Sequence, residues 1–362
     1  MLKKKVLLGM SGGVDSSVSA ALLLENGYEV IGAFMKNWSG SVCGPRQTDE
    51  DDVGEMFQEC GWKDERRDAA RVAAKLNIPF VTFDFEKEYR RDVVEYLFRE
   101  FETGRTPNPD VMCNKYIKFD RFIQEADRLG CEYVATGHYA REQNGLLYKA
   151  VDSNKDQTYF LWAINPKIVS RILFPIGEMT KPEVRKKAEE FGLEVAHKKD
   201  STGICFVGEV DIRTFLQKRL PKDPGNVVTI EGDMIGTHEG VSFYTIGQRH
   251  GLSIGGGQPY YVVDKRPETK ELVVSSNFHP ALFKTRLTAT QLNWFEKPVS
   301  PFACLARIRH RQPLQPCRIQ LVSIDGIEKV SVAFDEHQRA ITPGQSIVFY
   351  DVDKVLGGGI IE

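Results

Sequence analysis

No apolar run in the chain approaches the ~18 residues that a membrane-spanning helix needs. Cysteine is sparse, seven among 362 residues at irregular spacing and with no C-x-x-C pair. That argues against a zinc site and against a disulfide framework, and it fits a reducing cytoplasm. Charge of one sign is also lacking. The net charge is −2, so nothing pulls the whole molecule toward nucleic acid and any RNA contact must be local. Repeats and low-complexity tracts are absent. Met1 to Lys5 runs straight into the first expected strand, which leaves no room for a signal or transit peptide. The glycine-rich turn near the start lacks the Gly-Lys-Ser/Thr of a Walker A loop.

What that turn does contain is informative. Gly9, Met10, Ser11, Gly12, Gly13, Val14, Asp15, Ser16 and Ser17 follow the apolar Val6-Leu7-Leu8 and precede a small-residue apolar stretch that suits a helix. Strand, glycine turn and helix N-terminus together make a nest of N–H groups for a phosphate. Ser11, Ser16 and Ser17 would add hydroxyls, and Asp15 would cap the helix or help hold Mg²⁺.

The remainder of the first two hundred residues alternates. Val6–Gly9, Val30–Met35, Phe80–Asp84 and Tyr133–Thr136 read as buried strands, and 15–26, 64–76, 86–102 and 115–129 as amphipathic helices. This predicts an α/β unit with a doubly wound parallel sheet whose ligand sits beyond the carboxyl ends of the strands. Gly104 to Pro109 reads as an ordered loop. After a helix over Glu209–Arg219 and a linker at 221–225 the composition turns to short β-branched and aromatic runs, which predict small sheets or a barrel. Boundaries fall near 207 and, more softly, near 280.

Charge is patterned locally. Residues 301–320 carry Arg307, Arg309, Arg311 and Arg318 with no acid, a candidate grip on phosphates. Residues 181–199 mix lysines with four glutamates and read as a solvated helix face. Residues 49–59, with six acids and no base, read as a solvated surface segment.

Two cysteines stand out from the other five. Cys113 ends Asn108-Pro109-Asp110-Val111-Met112-Cys113 and is expected at the start of a helix, where a thiolate is favoured. Asp110 lies three residues before it as a candidate proton carrier. Cys205 closes Asp200-Ser201-Thr202-Gly203-Ile204-Cys205 after two lysines. Cys43, Cys60, Cys131, Cys304 and Cys317 read as structural or incidental.

The loop at Gly9–Ser17 resembles the pyrophosphate loop of the N-type ATP pyrophosphatases. The chain as a whole closely resembles the bacterial-type tRNA-specific 2-thiouridylases. The resemblance rests on that loop, Phe34 to Trp38, Asn108 to Lys115, Ala135 to Tyr139, Lys155-Asp156-Gln157, Asp200 to Phe206, Thr245 to Arg249 and Pro343-Gly344-Gln345. It implies a catalytic ATP pyrophosphatase domain over 1–206, a small mainly-β central domain over 207–280 and a C-terminal β-barrel over 281–362, the latter two binding tRNA. It also implies ATP-dependent replacement of the C2 oxygen of the wobble uridine by sulfur, with Mg²⁺ accompanying ATP and a donor protein supplying persulfide sulfur. By the same resemblance Cys205 carries the persulfide, Cys113 is the partner nucleophile, and a Cys113–Cys205 disulfide is the end state. Asp110 would be the general acid–base. Gly9 to Ser16, Met35 and Gly137 would bind ATP, and Asn108, Pro109 and Asp110 would line the target-base pocket. Further tRNA contacts would fall on His138, Lys155, Asp156, Gln157, Arg309, His310 and Gln345.

Two other readings use the same loop or none of the chemistry. An amine-using synthetase, amidating or lysidine-forming, would need neither cysteine, and the chain shows no glutaminase segment. A nucleotide-binding RNA chaperone would not turn over. The expected oligomeric state is a monomer, since no exposed apolar helix stripe stands out.

Overall fold

The computed structural model describes residues 3–39, 62–199, 212–252, 254, 259–276 and 278–362. Its first unit is a five-stranded sheet in the order β3-β2-β1-β4-β7. The members are β1 (Lys5–Gly9), β2 (Glu29–Lys36), β3 (Phe80–Asp84), β4 (Tyr133–Thr136) and β7 (Ile172–Leu173), with the hairpin β5 (Ala140–Gln143) and β6 (Leu146–Lys149) intervening in sequence. All its pairings are parallel. Side chains alternate across β1, so Leu7 enters the core on one face and Val6 and Leu8 the core on the other. This is why these strands read as continuous apolar runs. The chain leaves β1 for β2 on one side and returns to β4 on the other, and the crevice between the ends of β1 and β4 is the switch point where such sheets bind ligands.

The second sheet runs β10-β11-β8-β9 from β8 (Gly225–Thr229), β9 (Met234–His238), β10 (Tyr260–Arg266) and β11 (Glu271–Ser276). The third comprises β12 (Phe283–Trp294), β13 (Phe302–Arg307), β14 (Gln315–Ile324), β15 (Ile327–Arg339), β16 (Ser346–Asp351) and β17 (Lys354–Ile361). These six close into a barrel, because β12 pairs with both β15 and β17. Closure removes the edges that a flat sheet would expose.

Several strands go beyond the expected pattern, β7, β9, the β5–β6 hairpin and β17 among them. The β5–β6 hairpin turns at Asn144 and Gly145, both at positive φ, and adds to the barrel through Tyr148 opposite Lys354. Strand β17 contains Gly357-Gly358-Gly359, which hid it from a reading based on β-branched residues. A Cβ at Gly358 would lie 2.8 Å from the Trp162 ring and one at Gly357 would strike the Asn293 carbonyl oxygen at 2.2 Å. Glycine is what lets the barrel wall close on the first unit.

That junction is polar as well as packed. Asp156 and Arg307 form an ion pair at 3.0 Å with side chains 2% and 7% exposed. Thr158 Oγ1 donates to Asp156, and Tyr159 donates to the carbonyls of Ile308 and Ser346. Arg307 was expected to face phosphate; it is instead a buried cation, held inside by the Asp156 carboxylate and stacked over the Tyr350 ring. Replacing Arg307 by leucine leaves Asp156 as an uncompensated buried charge, an expected loss of about 3–5 kcal/mol. Denaturant unfolding of R307L measures it. Replacing both partners with apolar residues is expected to cost less than the single change.

Candidate functional site

Helix α1 (Val14–Glu25) starts directly from the glycine turn, with Gly13 as N-cap. Gly12 sits at φ +76°, and a Cβ there would come within 2.2 Å of the Glu65 carbonyl oxygen in α2 (Trp62–Lys75). The turn is therefore clamped against α2 and open only to a residue without a side chain. Ser16 and Ser17 are buried, and their hydroxyls donate back to the Gly13 carbonyl at 3.2 and 2.8 Å. They brace the loop from within, while Ser11 stays on its exposed rim. The first N–H groups of α1 have no intrahelical acceptor, an arrangement suited to an anion.

The carboxylate of Asp15 does not behave as a vacant cation ligand. Lys181 Nζ donates to both its oxygens at 2.8 and 2.9 Å, and the Tyr139 hydroxyl donates to Oδ1 at 2.9 Å. Among the described residues no group of three or more metal-ligating side chains occurs. Lys181 is 8% exposed, which corrects the reading of 181–199 as a solvated face. Lys198 departs from it too, donating to the Gly12 carbonyl at 3.0 Å and to Asp68 at 2.7 Å. Two lysines thus converge on the loop, one neutralising the acid in the first turn of α1 and one bracing the glycine turn.

Beyond β4, Gly137 packs so close to α1 that a Cβ would lie 2.7 Å from Ser16 N. Gly9 lies against the Met35 methyl, 2.9 Å from where its Cβ would be, a contact a methionine side chain can relieve. His138 follows, buried, with Nδ1 2.7 Å from Thr136 Oγ1 and Nε2 3.5 Å from Lys118 Nζ. An ammonium only donates, so Nε2 accepts and the ring proton resides on Nδ1. Burial first, and the Lys118 charge second, hold the imidazole well below its ordinary value of 6.5. The unfolded chain binds this proton at a higher pH than the native one does. Stability is therefore expected to fall as pH drops through about 6.5, a slope that His138→Gln should flatten in pH-dependent unfolding.

Lys118 belongs to the helical run 109–128, which carries the cysteine. Asn108 caps it, its Oδ1 accepting from Asp110 N at 3.2 Å, and Pro109 occupies the first turn. The run therefore begins four residues before Cys113 and not at it, and Cys113–Arg121 is wound as a π-helix. Such windings put side chains at positions a regular helix would not, and they recur at functional sites. The Cys113 side chain is fully buried and belongs to the large apolar core on the sheet face that also receives Leu7. Phe122, further along, would touch a Cβ at Gly9. The cysteine-bearing run and the phosphate loop thus share one end of the parallel sheet.

The loop before this run is fastened to the barrel. Gln345 Nε2 donates to the carbonyls of Thr106 and Pro107 at 2.9 and 3.3 Å, and Thr106 N donates to Pro343 O. Gln157 Oε1 accepts from Tyr139 N, Lys155 is half-buried, and Asp156 is spent on Arg307. Arg309 donates to the Ala340 carbonyl, and His310 packs on Phe160 with ring centroids 4.5 Å apart. Arg311 and Arg318 are exposed. Cys205, with Cys43, Cys60 and the acidic segment 49–59, lies outside the described residues. Cys304 and Cys317 face each other across β13 and β14 with sulfurs 3.7 Å apart.

Comparison with known proteins covers the same three parts. Residues 4–209 match the family described as tRNA methyl transferase HUP domain, 213–276 its PRC-barrel domain, and 284–361 the aminomethyltransferase beta-barrel domain. The tRNA-specific 2-thiouridylase MnmA of Marinomonas sp. (strain MWYL1) is 50% identical over 370 residues, spanning 99% of this chain and 91% of its own. The protein of that name from Bacillus subtilis (strain 168) is 45% identical over 367 residues, spanning 99% and 95%. Among solved structures, a 4-thiouridine synthetase–RNA complex with bound ATP is similar at 18% identity and TM-score 0.35, over 59% of this chain and 50% of that one.

Proposed function

The chain belongs to the tRNA-specific 2-thiouridylase family, and on that premise we propose that it replaces the C2 oxygen of a tRNA wobble uridine by sulfur at the expense of ATP. The uracil C2 carbonyl is a poor electrophile and its oxygen a poor leaving group. Attack of O2 on the α-phosphorus of ATP forms the O2–P bond, breaks the bond to the β-phosphate and releases pyrophosphate into the nest at Gly9–Ser16. The N3 proton passes to Asp110, and AMP becomes the leaving group. Charge developing on pyrophosphate meets the N–H groups of α1, freed of Asp15 repulsion by Lys181.

Sulfur arrives as a persulfide on Cys205, passed on by a donor protein. Its terminal sulfur reaches C2 and AMP leaves. The Cys113 thiolate attacks Cys205 Sγ, breaking the sulfur–sulfur bond either before that step, as hydrosulfide, or after it. In both orders the sulfane sulfur is reduced by two electrons and the two cysteines are oxidised to one disulfide. An external dithiol must reduce it before the next turnover. Met35 and Gly137 border the nucleotide, and Asn108 and Pro109 line the pocket for the base. The wobble base lies in a single-stranded loop and can be turned out at modest cost. His138, Lys155, Gln157, Arg309, His310 and Gln345 would contact or position the RNA, with Asp156 acting through Arg307. The molecule would act as a monomer in the cytoplasm, and no helix among the described residues is long and apolar enough to cross a membrane.

The observation that supports this most is the Lys118–His138 contact, since it ties the run bearing Asp110 and Cys113 to the end of β4 beside the phosphate loop. The family description speaks of methyl transfer and the relatives' names of thiolation; a cysteine with an acid one turn before it suits sulfur. Incubation with ATP, a persulfide donor and unmodified tRNA, followed by nucleoside mass analysis, tests the proposal. A 16-dalton gain on the wobble uridine that requires ATP is expected (oxygen replaced by sulfur). Uridine unchanged under all conditions refutes it.

A further inference from the structure

Away from the switch point, a cavity of about 250 Å³ lies where the three parts of the molecule meet. Its walls come from the 103–106 loop of the first unit, from 246 and 263–267 of the middle sheet, and from 281–284 and 340–343 of the barrel. Three of its side chains are cationic, Arg105, Lys265 and Lys284, and one is acidic, Asp264, which leaves the wall two charges positive (three minus one). Arg105 is balanced by Glu100 at 2.8 Å. Asp264 lies 3.7 Å from Arg266 and accepts from the Lys265 backbone N–H.

Lys265 is different. Its Nζ donates to the Tyr244 carbonyl at 2.7 Å, and no carboxylate among the described residues pairs with it. Burial alone pushes it down to about 8, so it is still charged at neutral pH. An ammonium has three donors. One is used, and a desolvated cation with spare donors beside a cavity calls for an anion. Lys284, on the barrel side, is exposed and has no ion pair among the described residues. The walls are fixed in advance, because Thr106 Oγ1 bonds to Thr245, and Thr342 Oγ1 lies 3.5 Å from the Ile246 carbonyl.

We propose that this junction cavity is a phosphate-binding site, with Lys265 and Lys284 as its cations, and that it takes a backbone phosphate of bound tRNA. The inference rests on the thiouridylase reading for its choice of RNA. The 103–106 wall continues directly into Pro107, Asn108 and Pro109, so a phosphate held here would be on the same strand as the base in the pocket, a few nucleotides away. It would also register all three parts of the protein on one RNA.

The test is the double variant Lys265→Met/Lys284→Met, compared with Lys265→Arg/Lys284→Arg. For the methionine pair we expect tRNA affinity to fall about tenfold at low salt and the slope of log K against log salt to shrink by about one. The arginine pair should keep both, and KM for ATP should not move. Phosphorus NMR with inorganic phosphate distinguishes the source. Loss of phosphate binding in the methionine pair with an unchanged tRNA slope would overturn the RNA assignment in favour of a free anion. No change in either measurement would overturn the site. Nucleoside thiolation by the wild-type preparation is assayed alongside, so failure of the site and failure of the thiolation reading give different results.

Discussion

Replacing Cys113 by serine is expected to stop 2-thiouridine formation, by at least ~10³-fold, while tRNA-dependent release of pyrophosphate continues. A serine at Cys113 is close to cysteine in volume, so the helical run and the core around it should stand. It cannot attack a sulfane sulfur. In the proposed reaction adenylation uses the nest, the base pocket and Asp110, and none of these depends on the thiol. Pyrophosphate release without thiolation is thus the signature of a lost sulfur-handling step and not of a damaged site. Full thiolation by C113S would show that sulfur reaches C2 without the Cys113 thiol and would contradict its role as partner nucleophile.

Replacing Lys181 by methionine is expected to raise KM for ATP and to lower kcat/KM on the order of 10- to 100-fold. Lys181 is nearly buried and holds both oxygens of Asp15. Without it the Asp15 carboxylate keeps the Tyr139 hydrogen bond but loses its cation in the first turn of α1, where the proposed reaction places the pyrophosphate group. Acid in the first turn suits a helix on its own, but like charges at one N-terminus compete for the same N–H groups. The companion change Asp15→Asn keeps the Tyr139 hydrogen bond and removes the charge. Combined with Lys181→Met it should therefore recover much of the loss in KM, the sign of electrostatic coupling between neighbours. If the double variant is as weak as the single one, Lys181 serves packing alone.

Why these lysines escaped the sequence reading is physical. Lys181 and Lys198 sit in a run that alternates with glutamates, and that composition describes a wetted helix. Their partners Asp15 and Asp68 lie 166 and 130 residues away. Asp156 and Arg307 are separated by 151 residues and each looks like ordinary surface. A charge acquires a buried partner only through tertiary folding, which local pattern does not report. The central strands β1, β2 and β4 were legible because burial on both faces demands nearly unbroken apolar residues, whereas β3 is an edge strand with Thr82 and Asp84 exposed, and the two-residue β7 left no run to read. The glycine turn was legible because its backbone conformation excludes side chains. The start of the cysteine-bearing run was available in Asn108 and Pro109, an N-cap and a proline at the first helical position; reading Gly104–Pro109 only as a loop moved the helix start too late. Asn144-Gly145 likewise signalled the hairpin that docks on the barrel. The strings around Gly9–Ser17 and Asn108–Cys113 drew attention to those segments, while the way Gln345 fastens the 106–107 loop to the barrel required coordinates.

The sulfuration account is tested most directly by mapping disulfides after a single turnover. Protein loaded with persulfide sulfur is mixed with ATP and unmodified tRNA without reductant, quenched with an alkylating agent and digested. A linked peptide joining Cys113 to Cys205, formed in step with 2-thiouridine, is the expected result. Thiouridine formed in equal amount while both cysteines remain open to alkylation would contradict it.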